Sequence, residues 1–401
     1  MSSSTDSMLQ SEVQSYAKHR WLLTIAGLLF YVVDVLTDVL LALRYFQQKD
    51  YLWTALTLTC VLTGLLVTQI FSYSWYWDDI NDPLQNPDGE PEISGMSRGA
   101  IAALHLLGVG IFTRYVHLLR RGFRVLWRSS ASCTEDQRRD EHHRLFCLAT
   151  DLSMLKLFEA FLESVPQLLL QVYIVLRFGE GAIVQYLSMS FSFLTVSWAL
   201  VDYRRCLRRS LPQIREMPSG VPTITYLLYK LSTIISLILS LALLLLLSPF
   251  TSVLLTFLWL LGALYTHLKG AKFCSSMGME LLYQGVIGVI LTFTFFNVKG
   301  QNTRVEMVVY YVFHCILNIL APVLMALLRP EMLTFTMLLA VSGIIFGGGR
   351  DGDGEHLVVL PADASKRGRE EGRRRGGRRG EGDTEGDEGE KLSSALRKYG
   401  Y

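Results

Sequence analysis

The chain has 401 residues, 50% of them hydrophobic and only 18% charged, with a net charge of +2. A soluble globular domain carries about 25% charged residues, so this composition excludes an ordinary water-soluble fold. A balance so close to neutral also offers no basic surface for a nucleic acid.

The first 20 residues are polar and end in Lys18, His19 and Arg20. That pattern is not a cleavable leader, so the first apolar run is expected to stay as an anchor. Apolar segments follow at 21–43, 51–77, 99–119, 145–178, 182–202, 223–247, 251–268, 281–297, 307–328 and 331–346. Several reach the roughly 20 residues that a helix needs to cross hydrocarbon. Basic residues cluster at Lys18/Arg20, at 120–144, at 204–215, at Lys269/Lys272 with Lys299/Arg304, and in the tail. The positive-inside rule puts these clusters, and both termini, in the cytosol. The acidic loop 78–98 then also lies there, and acidic residues count little in that rule.

Segments 99–119 and 281–297 are left with cytosol on both sides. They are marked by Gly108 and Gly110, and by Gly285 and Gly288. Re-entrant helices explain both features, since such backbone is tolerated where it is buried in protein or lines a wet cavity. The expected fold is an all-α polytopic membrane protein of eight transmembrane helices plus two re-entrant half-membrane helices, in two pseudo-repeats. The expected parts are a cytosolic segment 1–20, a first transmembrane half 21–202, a second half 203–346, and a tail 347–401. The tail is rich in Gly, Arg and Glu and cannot bury a core, so it reads as disordered and cytosolic.

Ionisable residues inside apolar segments are costly and are functional candidates by default. Asp34 and Asp38 stand four apart in the first segment and share a helix face. In the fourth segment Glu159, Glu163, Gln167 and Gln171 also repeat every four residues, a stripe that climbs about 18 Å. Lys156 and Asp151 extend it toward the cytosol, and Pro166 should kink the helix. Asp202 and Arg205 close the fifth segment, and Arg114 ends the third. These charges can pair to fix packing, or they can form a hydrophilic track for a lipid headgroup. Ion or proton transport uses similar carboxylates and is a third reading.

His105 and His314 are lone histidines on apolar segments and read as core or interface residues. Trp53, Trp75 and Trp77 near segment ends suit an interfacial aromatic belt. The six cysteines (Cys60, Cys133, Cys147, Cys206, Cys274, Cys315) are scattered without C-x-x-C and read as reduced packing residues, not a metal or disulfide framework. The stretch Gly347-Gly-Gly-Arg-Asp-Gly lacks the Lys-Ser/Thr of a phosphate loop. No nucleophile–base pair and no metal spacing is present, so neither an enzyme nor a cofactor is expected.

The stretches Tyr31-Val-Val-Asp34-Val-Leu-Thr-Asp38, Asp151-Leu-Ser-Met-Leu-Lys156-Leu-Phe-Glu159-Ala-Phe-Leu-Glu163-Ser-Val-Pro-Gln167, Ser197-Trp-Ala-Leu-Val-Asp202-Tyr203 and Phe295-Phe-Asn-Val-Lys-Gly resemble the XK-related family. Phe112-Thr-Arg114-Tyr115 and 297–303 resemble its caspase-activated subgroup. The resemblance covers roughly residues 20–346. It implies a phospholipid scramblase at the plasma membrane that exposes phosphatidylserine in apoptosis after caspase cleavage. It also implies that Asp34, Asp38, Asp151, Lys156, Glu159, Glu163, Asp202 and Arg205 belong to an intramembrane polar network, and that Trp53 lies near the lipid path. Phospholipids, an executioner caspase and a single-pass accessory subunit are the partners implied. Some relatives instead resemble scaffolds for lipid-transfer proteins. The tail departs from the family: Gly347–Arg350 stops the last apolar run early, and only Thr384-Glu-Gly-Asp387 and Leu360-Pro-Ala-Asp363 offer candidate cleavage sites.

Overall fold

The computed structural model describes residues 18–81, 96–127, 135–179, 183–210, 220–270, 274, 276–297 and 304–329. The apolar run 331–346, and the tail with Asp363 and Asp387, lie outside them. Among the described residues every regular element is a helix. In chain order these are α1 (Lys18–Gln47), α2 (Tyr51–Asn81), α3 (Arg98–Leu106), α4 (Gly110–Trp127), α5 (Glu135–Glu159), a π-helical turn (Ala160–Ser164), α6 (Val165–Phe178), α7 (Ile183–Ser210), α8 (Val221–Leu247), α9 (Thr251–Lys269), α10 (Met277–Phe293) and α11 (Arg304–Leu328).

Among the described residues, six helices are long and apolar enough to cross a membrane: α1, α2, α7, α8, α9 and α11. The chain is therefore a multi-pass membrane protein. Its exposed helix faces are rich in apolar side chains, and its interior holds ionisable groups among the apolar ones. On α1, Leu29, Leu36, Leu40 and Leu43 are exposed, while Asp34, Asp38 and Tyr45 are buried. Hydrocarbon accepts the leucines, and the protein interior must supply partners for the rest.

The chain divides into two compact units. The first holds residues up to 171 together with 181–216. In it, segment 99–119 is not one helix. It breaks after Leu106, where Gly108 takes φ +77°, a conformation that costs a residue with a Cβ. The flanks of the break lie on α2. Gln69 Nε2 donates to Gly108 O at 3.1 Å and Gln69 Oε1 accepts from Gly110 N at 2.9 Å. Down α2, Tyr76 meets His105 (ring centroids 5.6 Å) and Trp77 meets Arg98 (5.7 Å), so α3 runs antiparallel to α2. Ser72 meets Arg114, so α4 runs parallel to it. α3 and α4 thus form a hairpin whose two ends lie at the same end of the unit as Trp77. α3 has nine residues, far too few to span hydrocarbon.

The second unit holds 172–180 and the residues from 217 onward. Here α9 and α10 approach closely through glycines. A Cβ at Gly262 would lie 2.9 Å from Gly288 O, and one at Gly288 would lie 2.8 Å from Trp259 O. Small residues at such a crossing are the usual device of membrane helix pairs, where dispersion replaces the hydrophobic effect. Trp259 Nε1 donates to Gly285 O at 2.9 Å across the same seam. Gly288→Val has no room to be absorbed. It is expected to destabilise the fold by about 1–3 kcal/mol, read as a lower thermal midpoint in detergent, while Gly285→Ala, with nothing within 4 Å, should cost less.

Candidate functional site

The carboxylate stripe read from sequence packs against α1 in the first unit. Asp34 and Asp38 of α1 are 4% and 3% exposed, and Glu159 and Glu163 are 6% and 4% exposed. The helix carrying the glutamates is interrupted ahead of Pro166. Proline has no N–H to return and its ring crowds the preceding turn. The chain answers with the wider π turn: Val165 N–H donates to Ala160 O, five residues back. Single π turns of this kind recur at functional sites. The backbone interruption expected of Pro166 takes the form of this turn, and the turn holds Glu163.

Glu163 is buried against α2, and Gly64 makes the room. A Cβ at Gly64 would stand 2.7 Å from both Glu163 Cβ and Glu163 Oε2. The Asp38 and Glu163 carboxyls lie within hydrogen-bond reach of each other. Gln167 Nε2 donates to Asp38 Oδ1, and Ser164 Oγ donates to Asp34 Oδ2 at 3.5 Å. Lys156 forms an ion pair with Glu159, and its Nζ lies 4.5 Å from the centre of the Tyr31 ring. Higher on the stripe, Gln171 is fully buried, and neither of its amide heteroatoms has a hydrogen-bond partner. Gln167 Oε1 and Thr57 Oγ1 are likewise buried and unbonded.

Asp151 belongs to a neighbouring junction. Arg114 Nη1 stands 3.6 Å from Asp151 Oδ2. The same guanidinium donates to Ser72 Oγ at 2.8 Å and to Ser72 O at 2.9 Å, and it stacks 3.9 Å from the Tyr76 ring centre. His105 Nε2 lies 2.9 Å from Ser72 Oγ, and His105 Nδ1 lies 2.8 Å from Ile101 O. A carbonyl can only accept, so the proton sits on Nδ1. Nε2 then accepts from the Ser72 hydroxyl, whose oxygen accepts from Arg114. His105 is a satisfied core histidine, as its sequence context suggested.

Asp202 and Arg205 form a third group, on α7. Asp202 lies within electrostatic reach of both Arg205 and Arg20. Arg20 Nη1 is 3.6 Å from Cys206 Sγ. A cavity of about 60 Å³ lies beside them, lined by Arg20, Tyr31, Tyr115, Lys156, Asp202 and Arg205 among others. Lys156 therefore borders the cavity and the carboxylate stripe alike. A chain of polar groups runs from Asp202 through the cavity and Lys156 to Asp34, Asp38 and Gln167. Among the described residues, no three His, Cys, Asp or Glu side chains cluster tightly enough to hold a metal ion.

Trp53 is half-buried in the first turn of α2. Trp75 departs from the aromatic-belt reading: it is buried between Phe71 and Phe158, because position 75 shares the inward face of α2 with Thr68, Phe71 and Ser72. Several polar residues of the interior carried no signal in sequence. Gln69 and Ser72 are ordinary polar residues on an apolar run. Arg20 looks like a flank that would snorkel to water, yet it is 6% exposed. Lys230 differs from these, since a charge inside the apolar segment 223–247 is itself a signal; in the second unit it is 2% exposed and donates to Tyr311 Oη at 3.0 Å and Thr294 Oγ1 at 3.5 Å.

The sequence profile of the XK-related protein family matches residues 22–348. An XK-related protein 9 of Tetraodon nigroviridis is 53% identical over 330 residues, covering 82% of this chain and 86% of that protein. The chain belongs to the XK-related family. An XK-related protein 8 of Pan troglodytes is 36% identical over 293 residues, covering 73% and 70% of the two chains, and one of Tetraodon nigroviridis is 30% identical over 313 residues, covering 76% and 74%. All the polar residues described above for this XK-related chain, except Arg20, fall within the matched span.

The geometry makes the network of this XK-related chain testable as a unit. Removing Lys156 leaves Glu159 without its ion pair in a dry interior, a loss that typically costs about 3–5 kcal/mol. Lys156→Met alone is expected to lower the thermal midpoint in detergent more than the double change Lys156→Met/Glu159→Gln. Equal midpoints for the two would show that the residues act independently.

Proposed function

We propose that this chain is a phospholipid scramblase, moving lipids between leaflets and exposing phosphatidylserine. The observation that carries the reading is the polar series from Asp202 to Gln167, extended one turn further by unbonded Gln171, set inside helices whose outer faces are apolar. A headgroup stripped of all partners in hydrocarbon pays several kcal/mol for each unsatisfied polar group. Polar side chains on successive turns recur about every 6 Å, so a headgroup passing along them exchanges partners without losing all of them. The acyl tails stay in the bilayer beside the exposed leucines of α1. No covalent step is needed, and Asp34, Asp38, Asp151, Lys156, Glu159, Glu163, Gln167, Gln171, Asp202 and Arg205 serve as the lining, with Trp53 near its outer entrance.

Lys156 and the two arginines partly neutralise the carboxylates, which would otherwise repel a lipid phosphate. The amide groups of Gln167 and Gln171 are then the contacting groups, and the unbonded atoms of Gln171 suit that role. The α3–α4 hairpin supports a re-entrant element within an eight-crossing topology. The family resemblance supports a plasma-membrane location with both termini cytosolic, and release of activity by an executioner caspase acting in the tail at Asp387 or Asp363.

Two experiments bear on this. Gln167→Leu/Gln171→Leu, made in a chain truncated before Gly354 to remove tail control, should slow scrambling at least tenfold while folding is retained. The readout is the loss of labelled lipid to dithionite in proteoliposomes. An unchanged rate in the folded variant would make the stripe structural. A second reading, ion or proton transport, is favoured by the small cavity beside Asp202 and the carboxylates beyond Lys156, and a parallel ion-flux measurement separates the two. For topology, single cysteines introduced near Arg121 and near Arg304 should both resist membrane-impermeant reagent applied to intact cells. Labelling of either would refute the cytosolic placement of those loops.

A further inference from the structure

We propose that the C-terminal half of α4, with the start of α1, is a docking face for the headgroups of anionic phospholipids at the membrane surface. It lies apart from the polar chain described above and does not depend on its role. The exposed stripe of α4 changes chemistry along its length. Phe112 comes first, 43% exposed and apolar, followed by half-buried Val116. Arg120, Phe123, Arg124 and Trp127 come next, all exposed. Spacings of three, four and seven residues keep these four on one helix face. The 15 residues between Phe112 and Trp127 span about 22 Å. Such a face starts in hydrocarbon and ends among headgroups, with the boundary near Arg120.

The lower part is built and held. Trp21 of α1 donates its Nε1–H to Leu119 O at 3.0 Å. Its ring packs on Phe123 and Trp127, with centroids 6.2 and 5.0 Å away, and the latter two stack at 5.2 Å. Exposed Lys18 places its Nζ 5.6 Å from the Trp127 ring centre. Arg121, the intervening arginine, is turned away and bonded twice to Glu141, at 3.2 and 3.1 Å. Glu141 lies outside the apolar segments, where burial raises its pKa but the bonds and charge of Arg121, with the charges of Arg144 and Arg124, outweigh that and hold the carboxyl low. Glu141 is thus within electrostatic reach of Arg124, but its two hydrogen bonds go to Arg121. Arg120 and Arg124 have no such bond among the described residues and stay directed outward with Lys18. Three cations around an aromatic platform are complementary to a polyanionic headgroup whose glycerol end rests on the rings. The positive-inside rule puts this end of the unit at the cytosolic leaflet, where anionic lipids concentrate. Each basic group near such a surface improves binding roughly fivefold.

The test is native mass spectrometry of the full chain in neutral detergent, titrated with dioctanoyl phosphatidylinositol 4-phosphate and, separately, with dioctanoyl phosphatidylcholine. The anionic lipid should be retained at least tenfold better. Arg120→Gln/Arg124→Gln should lose at least tenfold of that retention, and Arg121→Gln less than twofold. The charge-preserving Arg120→Lys/Arg124→Lys should bind like the parent, which controls for folding. Unchanged retention in the glutamine double variant, or equal loss in Arg121→Gln, would overturn the proposal. So would a synthetic peptide of residues 381–390 binding this face more tightly than the lipid, which would reassign it to the chain's own acidic tail.

Discussion

Lys156 meets Glu159 beside Asp34, Asp38 and Glu163, so four carboxyl groups share one lysine in a dry interior. Charge in a low-dielectric slab must be answered by other protein groups, because neither water nor lipid is there to do it. Much of the first unit follows from that demand. α1 is held against the π turn by the Asp38–Gln167 and Asp34–Ser164 contacts. Gly64 of α2 is a glycine because Glu163 occupies the space its side chain would take. The π turn itself reconciles two local needs: a proline that cannot return a backbone bond, and a glutamate that must face inward.

The demand spreads outward through shared residues. Lys156 borders the small cavity that also touches Arg20, Asp202 and Arg205. Arg114 answers Asp151, and it is itself oriented by Ser72, which in turn is fixed by His105 on the short helix α3. A displacement of the α3–α4 hairpin would therefore be felt at Asp151. In this arrangement the hairpin supports the network through Arg114 and His105. Its own packing on α2 is fixed by Gln69, which bonds both sides of the turn at Gly108.

The unbonded buried atoms are informative for the same reason. Polar groups in protein interiors are nearly always satisfied, and the exceptions call for an explanation. Gln171 and Gln167 Oε1 on the stripe, and Thr57 Oγ1 on α2, are such exceptions. They are the exchangeable groups that the proposed headgroup route calls for.

Much of this was legible in sequence, because the bilayer simplifies the code. A long apolar run must be a helix, since no other backbone satisfies itself in lipid, and the bounds read from hydropathy at 21–43, 51–77, 223–247, 251–268 and 307–328 fall within a few residues of α1, α2, α8, α9 and α11. An ionised residue in such a run must face protein, so Asp34, Asp38, Glu159, Glu163 and Arg114 could be singled out as interior groups from spacing alone. Tertiary structure decided what spacing could not: which helix receives each charge. That depends on the approach of α2 through Gly64, on a π turn whose position reflects both Pro166 and its neighbours, and on a hairpin break at Gly108 that splits one apolar segment into two helices. Arg20, Ser72 and Gln69 entered the interior unannounced, and Trp75 turned inward, because a single polar or aromatic residue carries no periodicity. Its partner, far away in the chain, determines its place.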